Sequence, residues 1–303
     1  MKKIYLLGSL AVLLGLSGCK DNDYNYNYQF TVPTVNILTK VADGTGVASK
    51  VTYDYEINDN SGTTTGTISS SAIVLGGSSY TLKTVTAPYQ SNSFTVAFKN
   101  VTGSMTGNQT IPVSNGNFTF TTVVNNPQLL GLSISTQLPQ QFAICQYKIG
   151  DEYTVKTFPE ISFYTGETKT QYPGADGMQE NSTKTIFYEL SLNLAENKAT
   201  IYMYNAKFSG MPQEPSKSQI NVEGLNVDYS NGMVTVSGEN IIPVVVEGNV
   251  STPYENYIFN NIEFKTTSDD LSECQISYTV AGRFSGTFKG SYIYGNRFVA
   301  SNN

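Results

Sequence analysis

Apolar and polar residues alternate along most of this chain, and the alternating runs stop at Gly, Asn, Asp or Pro. A two-residue period sends successive side chains to opposite faces of an extended strand. The first half is therefore expected to form strands near 29–39, 49–57, 63–70, 79–86, 92–99 and 117–124. Turn signals fall between or beside them at Asn58-Asp59-Asn60-Ser61-Gly62, Gly76-Gly77 and Asn115-Gly116.

The second half is more regular. Ile186, Tyr188, Leu190, Leu192 and Leu194 occupy alternate positions and share a face. Ala195-Glu196-Asn197-Lys198 turns the chain, and Thr200 to Tyr204 returns as the partner strand. Asn231-Gly232, between alternating segments from Val227 to Ser237, predicts a tight hairpin. Further strands are expected at 241–246, 257–267, 274–281 and 284–293, with Ile276, Tyr278 and Val280 on one face. The stretch 166–182, with Pro173, Gly174 and Gly177, reads as a long exposed loop.

These runs predict an all-β chain of two antiparallel domains. Asn125-Asn126-Pro127 ends the first series, which gives an N-terminal domain over 29–126 and a C-terminal one over 127–303. The stretch 136–141 is a second candidate boundary. Six or seven short strands in about 100 residues suit an immunoglobulin-like β-sandwich, with a barrel as the other arrangement. Eight or so sequential strands suit a meander barrel or strongly curved sheet in the second domain.

Composition narrows the chemistry. Hydrophobic residues make up 39% and charged residues 14%, with 21 Tyr and 15 Phe, as sheets with one wetted face require. The net charge is −6. Without Lys2 and Lys3, 16 bases face 24 acids, a net charge of −8, and the only Arg residues are Arg283 and Arg297. Phosphate-backbone binding needs clustered cations, so nucleic acid is not an expected partner. The chain has no His, which removes the usual base for a Ser or Cys nucleophile and the commonest metal ligand. It has no Trp either, so any sugar-stacking platform must come from Tyr.

The N-terminus supplies an address. Lys2-Lys3 precedes an apolar run from Ile4 to Leu16, too short to span a bilayer but suited to a signal-peptide core over 1–18. Leu16-Ser17-Gly18-Cys19 closely resembles the lipobox of bacterial lipoproteins, which implies cleavage before Cys19 and lipidation of its thiol. Lys20-Asp21-Asn22-Asp23 resembles the short acidic export signal of surface lipoproteins of the Bacteroidetes. Residues 19–28, which include Tyr24-Asn25-Tyr26-Asn27-Tyr28, then form a tether. The implied location is the outer membrane, with the protein lipid-anchored and facing outward.

A second resemblance covers roughly residues 155–292. The phrases Tyr188-Glu-Leu-Ser-Leu-Asn-Leu-Ala, Lys198-Ala-Thr-Ile-Tyr, Asn205-Ala-Lys-Phe, Ile220-Asn-Val-Glu-Gly-Leu and Asn261-Ile-Glu-Phe resemble the calycin-like domains of Bacteroidetes lipoproteins. The likeness lies in rhythm and implies a barrel-like fold without carrying a binding residue.

Few residues carry candidate chemistry. Cys145 and Cys274 remain after Cys19; in an oxidising compartment they either pair across the sheet or stay as buried thiols. Glu160, Glu167, Asp176, Glu180, Glu189, Asp269, Asp270 and Glu273 are the candidates for paired glycosidase carboxylates, but no motif fixes two of them together. Asn58 to Gly62 and Asp269-Asp270 read as turns in preference to calcium loops. Tyr164, Tyr172, Tyr202, Tyr204, Tyr254 and Tyr257 are the candidate ligand contacts. The expectation is a non-catalytic protein with no cofactor and no metal, which presents a surface to a small hydrophobic ligand or a protein. A glycan-binding accessory role in polysaccharide uptake is the alternative, and a carboxylate-dependent glycoside hydrolase the third.

Overall fold

The computed structural model describes residues 26–41, 46–60, 63–91, 95–122, 141–158, 160–206, 217–228, 234–266 and 273–292. Cys19, most of the tether, Asn125-Asn126-Pro127, Asn231-Gly232 and Asp269-Asp270 lie outside them. The fold is all-β in two domains, and the chain passes from the first to the second between Thr157 and Phe158.

The first domain holds β1 (Tyr26–Val41), β2 (Gly46–Asn60), β3 (Thr63–Ser70), β4 (Ala72–Leu75), β5 (Ser78–Leu82), β6 (Val85–Ser91), β7 (Thr95–Thr106), β8 (Thr110–Thr122), β9 (Gln141–Ile149) and β10 (Tyr153–Phe158). Their order is β4-β5-β7-β6-β3-β2-β1-β10-β9-β8, and β7 also pairs with β8. The ladder thus returns on itself, with the β4–β5 hairpin attached to β7. This is the barrel arrangement, in place of the two separate sheets of a sandwich.

The first domain also reaches beyond 126. β9 pairs with β8 from Thr122↔Gln141 to Val113↔Ile149, and β10 pairs with β9. The Asn-Asn-Pro signal therefore falls between neighbouring strands of one sheet, not between domains. Gly76-Gly77 is a two-residue hairpin turn with φ of +54° and +82°, which glycine adopts without steric cost. Asn115-Gly116 does not turn the chain. It lies within β8, where Asn115 has φ +52° and the register to β9 shifts between Ser114 and Asn117, a β-bulge.

Alternation fills the interior of this first barrel. Ala143, Cys145, Tyr147 and Ile149 of β9 are buried, while Ile144, Gln146 and Lys148 are exposed. Tyr55 stacks on Phe120 with ring centroids 4.2 Å apart, and Phe118 stacks on Tyr147 at 5.1 Å. Such pairs add about 0.5–1.5 kcal/mol each beyond the area they bury.

The second domain holds β11 (Ile161–Gly174), β12 (Gly177–Thr183), β13 (Phe187–Asn193), β14 (Lys198–Ala206), β15 (Lys217–Asp228), β16 (Thr235–Ile241), β17 (Val244–Glu247), β18 (Val250–Pro253), β19 (Phe259–Thr266), β20 (Glu273–Val280) and β21 (Phe284–Tyr292). β11, β13, β14, β15, β16, β19, β20 and β21 follow one another round a closed, eight-stranded antiparallel barrel. β12 pairs only with β11, and the β17–β18 hairpin joins β15.

The expected loop over 166–182 is strand for most of its length. β11 continues to Gly174 and pairs with β12 from Thr168↔Thr183 to Gly174↔Gly177. The Gly-rich signal there marks only the tip of a hairpin, whose polar side chains are mostly exposed.

Inside the second barrel, Tyr164 packs against Phe264 with centroids 5.6 Å apart, Tyr188 against Phe288 at 4.2 Å and Phe259 against Tyr278 at 5.6 Å. Tyr278 lies over its cross-strand partner Gly286, where an added Cβ would stand 2.1 Å from the ring. Rings and aliphatic chains from Leu190, Ile201, Val222, Val236, Ile262 and Ile276 occupy the lumen.

Candidate functional site

The six candidate tyrosines do not form one cluster. Tyr164 is wholly buried in the second barrel and is part of its core, so it is no ligand contact. Tyr172 lies on the β11–β12 hairpin and donates to Gln179 Oε1 at 3.1 Å. The other four mark a single band across the outer face of β14 and β15 and its end.

Register builds that band. Glu189 of β13 lies opposite Tyr202 of β14, which lies opposite Asn221 of β15. Phe187, Tyr204 and Gln219 form the next row. Val244 and Val246 of β17 continue these rows opposite Asn221 and Gln219. A period of two therefore aligns Lys217, Gln219, Asn221 and Glu223 along the outside of β15, a run of about 20 Å.

These side chains are linked. Gln219 Nε2 donates to Asn221 Oδ1 at 2.7 Å, and Asn221 Nδ2 donates to Glu223 Oε1 at 3.3 Å. An amide carries two N–H donors and an oxygen that accepts twice, so each retains hydrogen-bonding capacity beyond these links. At the Lys217 end, its ammonium lies 3.2 Å from Glu247 and 5.4 Å from the ring centroid of Tyr254. Tyr254 stacks on Tyr257 with centroids 4.5 Å apart and planes 12° from parallel. The backbone fixes this pair: Tyr257 N donates to Tyr254 O at 3.0 Å, and Tyr254 N to Pro243 O at 2.9 Å. Gln219, Asn221, Tyr202, Tyr254 and Tyr257 are all half-buried, and Glu223 is exposed.

One edge of the band breaks the alternation rule. Phe163, Glu189 and Tyr204 point to the outer face by register, yet they are 1%, 1% and 3% exposed. Tyr204 donates its hydroxyl to Glu189 Oε2 at 2.5 Å and stacks against Phe163 with centroids 5.9 Å apart. A buried carboxylate needs such a donor to offset its lost hydration. Tyr202 stands between Glu189 and Glu223. Partial burial raises its pKa, and the two carboxylates raise it further.

The remaining candidates are dispersed. Of the two alternatives for Cys145 and Cys274 the structure has the buried thiols: both are unbridged, and each belongs to the sheet of a different domain. Burial pushes both thiol pKa values well up. Glu167 accepts from Ser182 Oγ at 2.6 Å, which holds its carboxyl below the usual value, and Glu180 accepts from Gln171 at 3.2 Å. Asp176 lies at the β11–β12 turn and Glu273 at the start of β20, both exposed, while Glu160 is half-buried. Among the described residues no group of three Cys, Asp or Glu side chains is placed to hold a metal ion. No protein-family model and no curated protein matches the chain.

Gln219, Asn221 and Glu223 escaped the sequence reading. The polar alternation Lys217-x-Gln219-x-Asn221-x-Glu223 was visible, but an outward polar strand face is ordinary. Only the register, which brings Tyr202 beside it and Tyr254 to its end, distinguishes this one.

Proposed function

We propose that the protein is a non-catalytic, lipid-anchored surface protein of the bacterial outer membrane that binds glycans along the outer band of the second barrel. The first barrel then serves as a spacer. The observation that carries this reading is the hydrogen-bonded row Gln219–Asn221–Glu223, set beside Tyr202 and ending at the Tyr254–Tyr257 stack. Planar amides and a carboxylate meet the paired hydroxyls of a sugar, and aromatic rings meet its C–H faces. A length of about 20 Å accommodates several sugar units.

The alternative of a small hydrophobic ligand within the barrel fares worse. Such a ligand would have to displace Tyr164, Tyr188, Phe264 and Phe288, which already pack against one another. Interiors of this kind are close-packed, and opening one sacrifices those contacts.

The soluble chain beginning after Cys19 should bind members of a host and dietary glycan array, and Tyr202→Ala and Asn221→Ala should each abolish or strongly weaken that binding. Silence of the wild-type chain across the array, or full binding by both variants, contradicts the reading. The anchor is tested separately: Cys19→Ala should release the full chain from membranes, and retention would refute lipidation.

A further inference from the structure

The distribution of charge along the band bears on which glycans it takes. Glu189 and Glu223 flank Tyr202, one on the β13 side and one on β15. The neighbouring cations are engaged elsewhere. Lys217 is paired with Glu247 at 3.2 Å at the far end of the row. Lys198, at the start of β14, donates to Asn226 Oδ1 at 2.8 Å and Gly224 O at 3.4 Å. The centre of the band therefore offers the exposed Glu223 carboxylate and two amides, with the Glu189 carboxylate buried beside them and no ammonium bonded to Glu223 among the described residues. Burial raises the pKa of Tyr202, and the two carboxylates beside it raise it further.

We infer that the band selects uncharged glycans and turns away those that carry carboxylate or sulfate groups. The inference rests on the glycan reading above and adds the substrate class. A uronate or sulfate ester laid over Tyr202 and Asn221 would meet Glu223 with no cation to neutralise it. At partly solvated separations of several ångströms, each such encounter weakens binding by about three- to tenfold. The effect fades as salt screens it.

The test compares neutral polysaccharides such as mannan, arabinan and dextran with polygalacturonate and chondroitin sulfate, in buffer of about 20 mM ionic strength, where screening is weak. The expected result is that the tightest binders are neutral, and that Glu223→Gln raises binding to the acidic polymers about three- to tenfold relative to the neutral ones. Tightest binding to an acidic polymer overturns the inference and leaves glycan binding intact. An unchanged ratio in Glu223→Gln overturns the assignment to this carboxylate. Absence of binding to either class defeats the glycan reading itself, and this inference with it.

Discussion

The hydroxyls of Tyr53 and Tyr147 meet 3.1 Å apart inside the first barrel. Tyr188 and Tyr278 are joined in the same way inside the second. In both rings the pair spans the second and seventh strands: β2 with β9, and β13 with β20. Both seventh strands also end alike, since Ile149 faces Tyr153 and Val280 faces Phe284 across three-residue turns, with the tyrosine two residues earlier. The two domains share one plan, in which a polar contact is buried among aromatic rings.

That contact should be visible in stability. Tyr53→Phe leaves the Tyr147 hydroxyl buried without its partner, at a cost of about 1–3 kcal/mol. The double variant Tyr53→Phe/Tyr147→Phe should lose less than the sum of the two single losses, because neither hydroxyl is then stranded. Urea unfolding of the four proteins measures the coupling. Additive losses would show that the two hydroxyls do not interact.

Buried thiols should be inert. Cys145 and Cys274 sit in separate interiors at 1% and 3% exposure, and burial raises both pKa values, so the reactive thiolate is suppressed. A maleimide should leave the folded chain unlabelled at these two positions and modify both in urea. Rapid labelling in native buffer, or a disulfide in the intact mass, would contradict the placement.

Alkaline pH should destabilise the fold. Burial raises the phenol pKa of Tyr278 to about 12, and it pushes Tyr53, Tyr147 and Tyr188 up as well. A group with a raised folded pKa binds its proton more tightly in the native state than in the unfolded chain. The stability it contributes is complete below the unfolded value, near 10 for Tyr, and is lost as pH rises towards the folded one. The thiols act in the same direction from their lower ordinary value of 9.0. The unfolding midpoint should therefore fall steadily above about pH 9. Tyrosinate absorbance should show a fraction of phenols that ionise only with unfolding. Ionisation of every tyrosine near pH 10 in the folded protein would refute this.

Gly286 is a packing requirement. A Cβ there would lie 2.1 Å from the Tyr278 ring, so Gly286→Ala should cost about 1–3 kcal/mol through displacement of that ring. Adding Tyr278→Ala should remove most of the penalty that Gly286→Ala imposes by itself. Thermal unfolding of the series reads both effects, and an unaffected Gly286→Ala would mean that the ring does not lie over this glycine.

Local pattern carried much of the fold. The alternation Tyr188, Leu190, Leu192 is the inward row of β13, and Ala195 to Asn197 lies at the turn into β14. Long-range pairing was not legible. Nothing in residues 141–149 says that they pair with β8, so Asn125-Asn126-Pro127 reads as a boundary although it lies between two strands of one sheet. Turn residues also serve several geometries: Asn115-Gly116 makes a bulge where Gly76-Gly77 makes a hairpin. The site was legible only in part. Tyrosines could be counted, but the face of each depends on strand phase. Tyr164 lies inside the barrel for that reason, while Tyr202 and Tyr204 lie outside. Glu189 was one carboxylate among many until register set it beside Tyr202 and Tyr204.

A crystal structure of the soluble chain soaked with its best-binding oligosaccharide tests most directly that recognition lies on the outside of the second barrel. Sugar density against Tyr202, Gln219 and Asn221 is the predicted result. Density inside the barrel, with Tyr188 and Tyr278 moved aside to admit it, would contradict the account.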